Sequence, residues 1–353
     1  MKKFTSCILG LLILSGRLYA SPDNFDIYGV EDSVKQKIYS CCSDKIEEYL
    51  NDSKKMYLSQ EKPSTEALVN RLKLEEKIIG EVKQIGKFVE VKISVIHYPE
   101  DKKTFATLDI VKANEAYRIP KKKRTIEQTK TVSNLSIKNL FRIWRDYDQQ
   151  KIQLLKKNKL DFSKTSCPVL HCTWGFDKED IKSVLPHLQK GVAQNKQALI
   201  NIIKNGADDN DRGDAIFILA HDDNYQEIAN LLINFTDDTS DLIRNNVMRV
   251  LGAIVDKHKI EDLELRRITQ ALNYPYVTDR NKASYVLFGI IKSNPKTHSQ
   301  VIKASGNILI ELLKLKQPNN HDYAYNMLKA LSHKNYDEHD FERWSKWINE
   351  HQS

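Results

Sequence analysis

The sequence predicts a mainly α protein: a small α+β domain with a β-hairpin, followed by a long series of paired helices. Three observations carry that expectation. Gly (12) and Pro (9) are scarce in a chain of 353 residues, which disfavours turn-rich all-β folds and glycine-rich cofactor loops. From Asp177 onward, apolar residues recur at helical spacing in pieces divided by short polar turns. Between Phe88 and Val111 the period falls instead to two. Apolar residues at 41% and charged residues at 29% describe a globular chain, neither disordered nor membrane-embedded, with room for two domains.

At the N-terminus, Lys2 and Lys3 precede the apolar run Ile8 to Leu14, and Leu18-Tyr19-Ala20 leads into the polar Ser21-Pro22-Asp23. This is the layout of a secretory signal peptide over residues 1–20. Spanning a bilayer takes roughly 20 apolar residues. The run is far shorter, and no later segment approaches that length, so no integral membrane segment is expected after cleavage. Removing residues 1–20 takes away Lys2, Lys3 and Arg17 and no acids, which lowers the formal charge from +8 to +5. So small a balance on an exported chain does not indicate a nucleic-acid partner. Four cysteines remain, Cys41, Cys42, Cys167 and Cys172, and an oxidising compartment favours pairing among them.

Residues 21–119 read as the small α+β domain. Asp23 to Val30 is a short strand. Val34, Ile38, Cys41, Ile46 and Leu50 then fall near helical spacing, and Asn51 to Ser64, polar and containing Pro63, is expected as a loop. Thr65 to Ile79 is a second helix with Leu68, Leu72 and Ile79 on one face. Phe88, Val91, Ile93 and Val95 alternate, Pro99 to Lys103 turns, and Thr104 to Val111 returns as a second hairpin strand. The order strand, helix, helix, strand, strand is similar to that of POTRA domains, which associate with outer-membrane machinery. The likeness rests on element order alone.

Residues 120–176 comprise a basic linker, an amphipathic helix and a cysteine-containing segment. Lys121-Lys122-Lys123-Arg124 is a solvated connector or a contact for an acidic surface. Over Leu135 to Lys157, the residues Ile137, Leu140, Phe141, Trp144, Ile152 and Leu155 share one stripe, suited to packing on the rest of the chain.

Residues 177–353 contain an internal repeat. Arg212, Ala215 and Leu219 align with Arg244, Val247 and Leu251, and again with Arg280, Ala283 and Leu287. His321, Ala324 and Leu328 hold the same three positions in a degenerate fourth copy. Each frame starts a helix and is followed by a second one, with Asp177 to Lys204 supplying a further pair at the front. This half resembles the HEAT-repeat proteins, α-solenoids related to armadillo arrays. The resemblance implies stacked helix pairs, small residues at close helix contacts, and an Asp/Arg pair linking neighbouring repeats. Arg212, Arg244 and Arg280 match the family Arg, and Asp238 is the only well-placed match to its Asp. Phe341, Trp344 and Ile348 suit the final interface, with Trp347 covering the open end.

There is no Gly-rich phosphate loop, paired-histidine zinc helix or Gly-x-Ser-x-Gly elbow. Cys167-Pro-Val-Leu-His171-Cys172 is the most reactive-looking cluster, and export makes a Cys167–Cys172 disulfide its better reading over metal binding or catalysis. Cys41 and Cys42, adjacent on a helix, would be strained if bonded to each other. Free thiols or bonds to the distant pair stay open. His221, His258, His298, His333 and His339 recur at repeat junctions, often beside Asp; such a ridge could bind a divalent ion, but solvated turns are the simpler account.

The expectation is therefore a non-catalytic, exported interaction scaffold of the bacterial cell envelope, periplasmic or secreted, binding a protein or peptide on the second helices. Arg266, Arg267 and Lys303 are the candidate contacts. No cofactor, metal or nucleic acid is expected. Two alternatives remain: an enzyme or enzyme accessory with a site in the α+β domain or near Cys167-His171-Cys172, and a secreted host-directed factor.

Overall fold

The structure is a computed structural model that describes residues 23–59, 63–98, 100–120, 135–157, 159, 166–173, 175–176 and 178–352. The segment expected as a signal peptide, residues 1–20, and the run Lys121–Arg124 lie outside the described residues. Helices make up 69% of the described residues of a mainly helical protein, with a three-stranded mixed α/β region at its N-terminal end. Among the described residues, no helix is long and apolar enough to cross a membrane.

The α/β region runs β1 (Phe25–Tyr28), α1 (Asp32–Leu58), α2 (Thr65–Ile85), β2 (Phe88–Tyr98), β3 (Lys103–Lys112). The sheet order is β1-β3-β2, with β1 parallel and β2 antiparallel to the central β3. The two-residue period decides what each face of β3 meets. Ala106, Leu108 and Ile110 join Ile38, Ile46, Ile78 and Val82 in the core under α1 and α2. Thr107 and Asp109, buried on the opposite face, lie on the side turned to the helical half.

Three local expectations change here. Residues 51–58 continue α1, because their polar side chains are compatible with an exposed helix and Pro63 is the first breaker. The Ser64 hydroxyl then caps α2, accepting from the Ala67 N–H at 3.1 Å. Cys42 rather than Cys41 faces the core, and Leu68 and Leu72 are exposed, since α2 reaches its core only at Ile78 and Val82.

The helical part comprises α3 (Leu135–Lys156), α4 (Glu179–Lys182), α5 (Leu185–Asn205), α6 (Asp209–Leu219), α7 (Tyr225–Leu232), α8 (Asp241–Lys257), α9 (Leu265–Ala271), α10 (Val277–Ser293), α11 (His298–Leu313), α12 (Pro318–Ser332) and α13 (Phe341–His351). Two rows result. Helices α6, α8, α10 and α12 pack in series, and α9, α11 and α13 pack in series beside them. The frame residues Ala215, Leu219, Val247, Leu251, Ala283 and Leu287 are all buried, as are Ala324 and Leu328 of the fourth copy. Helix α3 and the segment around Val169, Leu170 and Phe176 belong to this same core, as the apolar stripe of α3 predicts.

Buried ion pairs tie successive units together. Arg212 pairs with Asp238 at 2.5 Å, and Arg244 with Asp279 at 2.8 Å. The acid missing from the expected pattern is thus Asp279, directly before the next frame arginine. Arg280 instead pairs with Asp109 of β3, 171 residues away, with both side chains fully buried. Around that pair the two parts interlock. The Tyr28 ring lies under the guanidinium carbons of Arg280 (4.5 Å) and Arg118 (5.1 Å), and its hydroxyl donates to Asn273 Oδ1 at 3.0 Å. Gly29, at φ +93°, permits this packing: a Cβ there would meet the Ile110 carbonyl oxygen at 2.1 Å. Asp26 accepts from the Lys316 and Gln317 N–H groups at 2.8 and 2.9 Å, tying β1 to the turn that leads into α12.

Candidate functional site

Docking of the sheet on one edge of the helical part leaves a cleft of about 460 Å³ across α8, α10 and α12. Helical spacing sets its floor. Arg249 and Ala253 lie one turn apart on α8, Thr278, Lys282 and Tyr285 follow the same period on α10, and Asn319 and Tyr323 do so on α12. Ile96 of β2 and His171 of the cysteine loop complete the lining. Gly252 lets the helices approach here, because a Cβ at that position would meet the Tyr285 ring at 2.7 Å.

The lining carries Arg249 and Lys282 and no carboxylate, while Asp256 acts on Tyr285 and Tyr323 from beside it. Lys282 has no hydrogen-bond acceptor or ion pair among the described residues, and burial together with the facing Arg249 lowers its ammonium below the ordinary lysine value. Arg249 donates to Asn245 Oδ1 at 3.0 Å, while Asp279, the nearest carboxylate to Lys282, is committed to Arg244. The buried Asn281 Oδ1 faces no donor. Tyr285 and Tyr323 meet edge to face at 6.2 Å, giving an aromatic wall. Two unneutralised cations, an amide and paired phenols suit a carboxylate-bearing ligand.

The cysteine loop closes one end. Cys167 and Cys172 are bonded across a Cα–Cα distance of 5.6 Å. The Lys257 ammonium donates to the Cys167 and Val169 carbonyls at 3.2 and 2.9 Å, fixing the loop on α8. His171 stacks on Phe217 at 5.2 Å, and burial, with Arg249 next, lowers its imidazole to about 4. It is a neutral wall residue at physiological pH. With both sulfurs bonded, the loop offers no thiolate nucleophile or ligand.

Cys41 and Cys42 are bonded to each other, against the expectation of strain. Glu81 beside them is held by Lys45 at 2.9 Å. Of the three arginine and lysine contacts anticipated on the second helices, Arg266 is exposed and pairs with Glu264, and Lys303 is exposed. Arg267 differs: it bonds Glu264 at 2.7 Å and Asp237 at 3.2 Å, so its charge is spent within the fold. His221 is not a solvated turn residue. It is 2% exposed, wedged against Trp144 and Phe176, and its Nδ1 hydrogen-bonds the Phe217 and Ile218 carbonyls.

Arg249, Asn281, Lys282, Tyr285 and Tyr323 were absent from the sequence reading. Their signal was present as the outward positions of the first helices, but nothing local separates these from any solvated helix face. Comparison with family models, with curated proteins and with solved structures returned no match.

Proposed function

We propose that this chain is a HEAT-like helical-repeat protein of the cell envelope that binds an acidic segment of a protein partner in the cleft over α8, α10 and α12. The observation that carries this reading is Lys282 held opposite Arg249 with no neutralising carboxylate, an arrangement that costs energy until an anion enters. The rungs Arg212–Asp238 and Arg244–Asp279 support the HEAT-like stacking, since each links one frame helix to the next unit. The working surface then belongs to the first helices, beside Cys167-His171-Cys172, and not to the second helices around Arg266 and Lys303. That location equally suits an accessory protein that holds a partner for another enzyme.

A photo-crosslinking residue installed at Tyr285, and separately at Lys303, tests the surface in the native cells. The expected outcome is a specific adduct from the Tyr285 position that disappears on Arg249→Glu/Lys282→Glu. An adduct from the Lys303 position alone, or one from Tyr285 that survives the double reversal, would reject the cleft.

A further inference from the structure

A second cluster, separate from the cleft and independent of the function proposed for it, gathers at the other face of α12. His321 in the first turns of α12 meets Glu338 and His339 from the turn before α13, and their ligand atoms all lie within 4.8 Å of one another. His321 Nε2 stands 3.6 Å from one Glu338 oxygen, and His339 Nε2 stands 3.8 Å from the other. The carboxylate is thus flanked by two imidazole nitrogens. We propose that His321, Glu338 and His339 form a Zn²⁺ site with an open fourth position.

Beyond proximity, the tautomer of His321 points to a metal. Its Nδ1 lies 2.6 Å from the Leu313 carbonyl oxygen at the end of α11, and a carbonyl only accepts. Nδ1 therefore carries the proton and Nε2 presents its lone pair to the cluster, the outer-shell arrangement of metal-bound histidines. The turn bearing the other two ligands is held in place. The His339 N–H donates to Asp337 Oδ1 at 2.8 Å, and Asp340 caps α13 by accepting from the Arg343 N–H at 3.2 Å. Two imidazoles and one carboxylate make a borderline donor set that favours zinc over magnesium or calcium. Exposure is graded: the His321 side chain is 12% exposed, Glu338 47% and His339 71%. The ion would sit on an anchored ligand with one side open to water or to a donor from a partner.

Isothermal titration of zinc chloride into the full, disulfide-intact chain in metal-stripped buffer tests the site. The expected result is one equivalent bound, with at least about tenfold weaker binding in both His339→Ala and Glu338→Gln. X-ray absorption of the loaded chain should show nitrogen and oxygen scatterers at about 2.0–2.2 Å and no sulfur. His339 is mostly exposed, so its loss should leave the circular-dichroism melt of the metal-free chain unchanged. No zinc uptake by the unaltered chain, or equal uptake by His339→Ala and Glu338→Gln, would overturn the proposal.

Discussion

His221 shows how one side chain can set the acid response of the molecule. Burial lowers its imidazole to about 4 from an ordinary 6.5, outweighing its two backbone hydrogen bonds. At neutral pH both folded and unfolded chains carry it uncharged. As pH falls from about 6.5 to about 4, the unfolded chain takes up the proton while the folded chain does not. Stability is therefore present above the unfolded value and lost through that window, by on the order of 3 kcal/mol for such a shift. His221→Phe should flatten the fall in urea midpoint between pH 7 and pH 4.5. It should also lose about 1 kcal/mol at pH 7, because the ring's hydrogen bonds to the Phe217 and Ile218 carbonyls are gone and Ile218 keeps only the backbone N–H of residue 221. An unchanged acid slope would mean that another group governs it. The Cys167–Cys172 bond is a second residue-scale constraint. Closing so short a loop should contribute about 2 kcal/mol by chain entropy. Alkylation of the unreduced protein followed by mass spectrometry should find neither thiol modified.

At the scale of elements, the helices are stabilised by groups outside them. The residue before α12, Gln317, makes no side-chain cap of its own, and Asp26 of β1 instead caps the turn ahead of it by accepting from the Lys316 and Gln317 N–H groups. Asp26→Ala should leave two buried N–H groups without an acceptor and cost about 1–3 kcal/mol. Asp26→Asn keeps an acceptor and should recover most of the loss in thermal midpoint. A loss as large in Asp26→Asn as in Asp26→Ala would show that the carboxylate charge, not the cap, matters. Inside the rows the frame residues dominate. Leu251 is fully buried where α8 meets its neighbours, and Leu251→Ala should cost roughly 2–5 kcal/mol through the cavity it leaves. Lys303→Ala on the exposed face of α11 should stay within about 0.5 kcal/mol, as chemical denaturation would report.

Across the whole molecule, the Arg280–Asp109 pair decides whether the sheet and the helical rows are one body. Both side chains are fully buried, so removing one partner strands the other in a medium that cannot solvate it. Asp109→Ala should destabilise the protein by about 3–5 kcal/mol, whereas Asp109→Leu with Arg280→Met should restore much of that. Hydrogen exchange supplies the structural readout. In Asp109→Ala, amides of β3 and of the first turns of α10 should lose protection together. Loss confined to β3 would mean that the two parts open independently.

Periodicity by itself determined the class of fold and the interior of each helix. The frame Arg-x-x-small-x-x-x-Leu marks buried positions because a helix returns the same face every 3.6 residues, and all six apolar residues of the three aligned frames are interior. Alternation likewise marked the hairpin, and the expectation of export favoured the pairing of Cys167 with Cys172. Periodicity also has clear limits. It placed Cys41 inward and ended α1 early, because polar residues on an exposed helix look like a loop when read locally. What only the tertiary structure decided is which distant groups meet. Arg280 finds its acid on β3, Asp26 holds a turn nearly three hundred residues on, and His321 converges with Glu338 and His339 across a turn. A buried arginine requires an acceptor, but its chemistry does not specify which element delivers one. That assignment follows from the docking of the sheet on the helix ends, a long-range event that leaves no period in the chain.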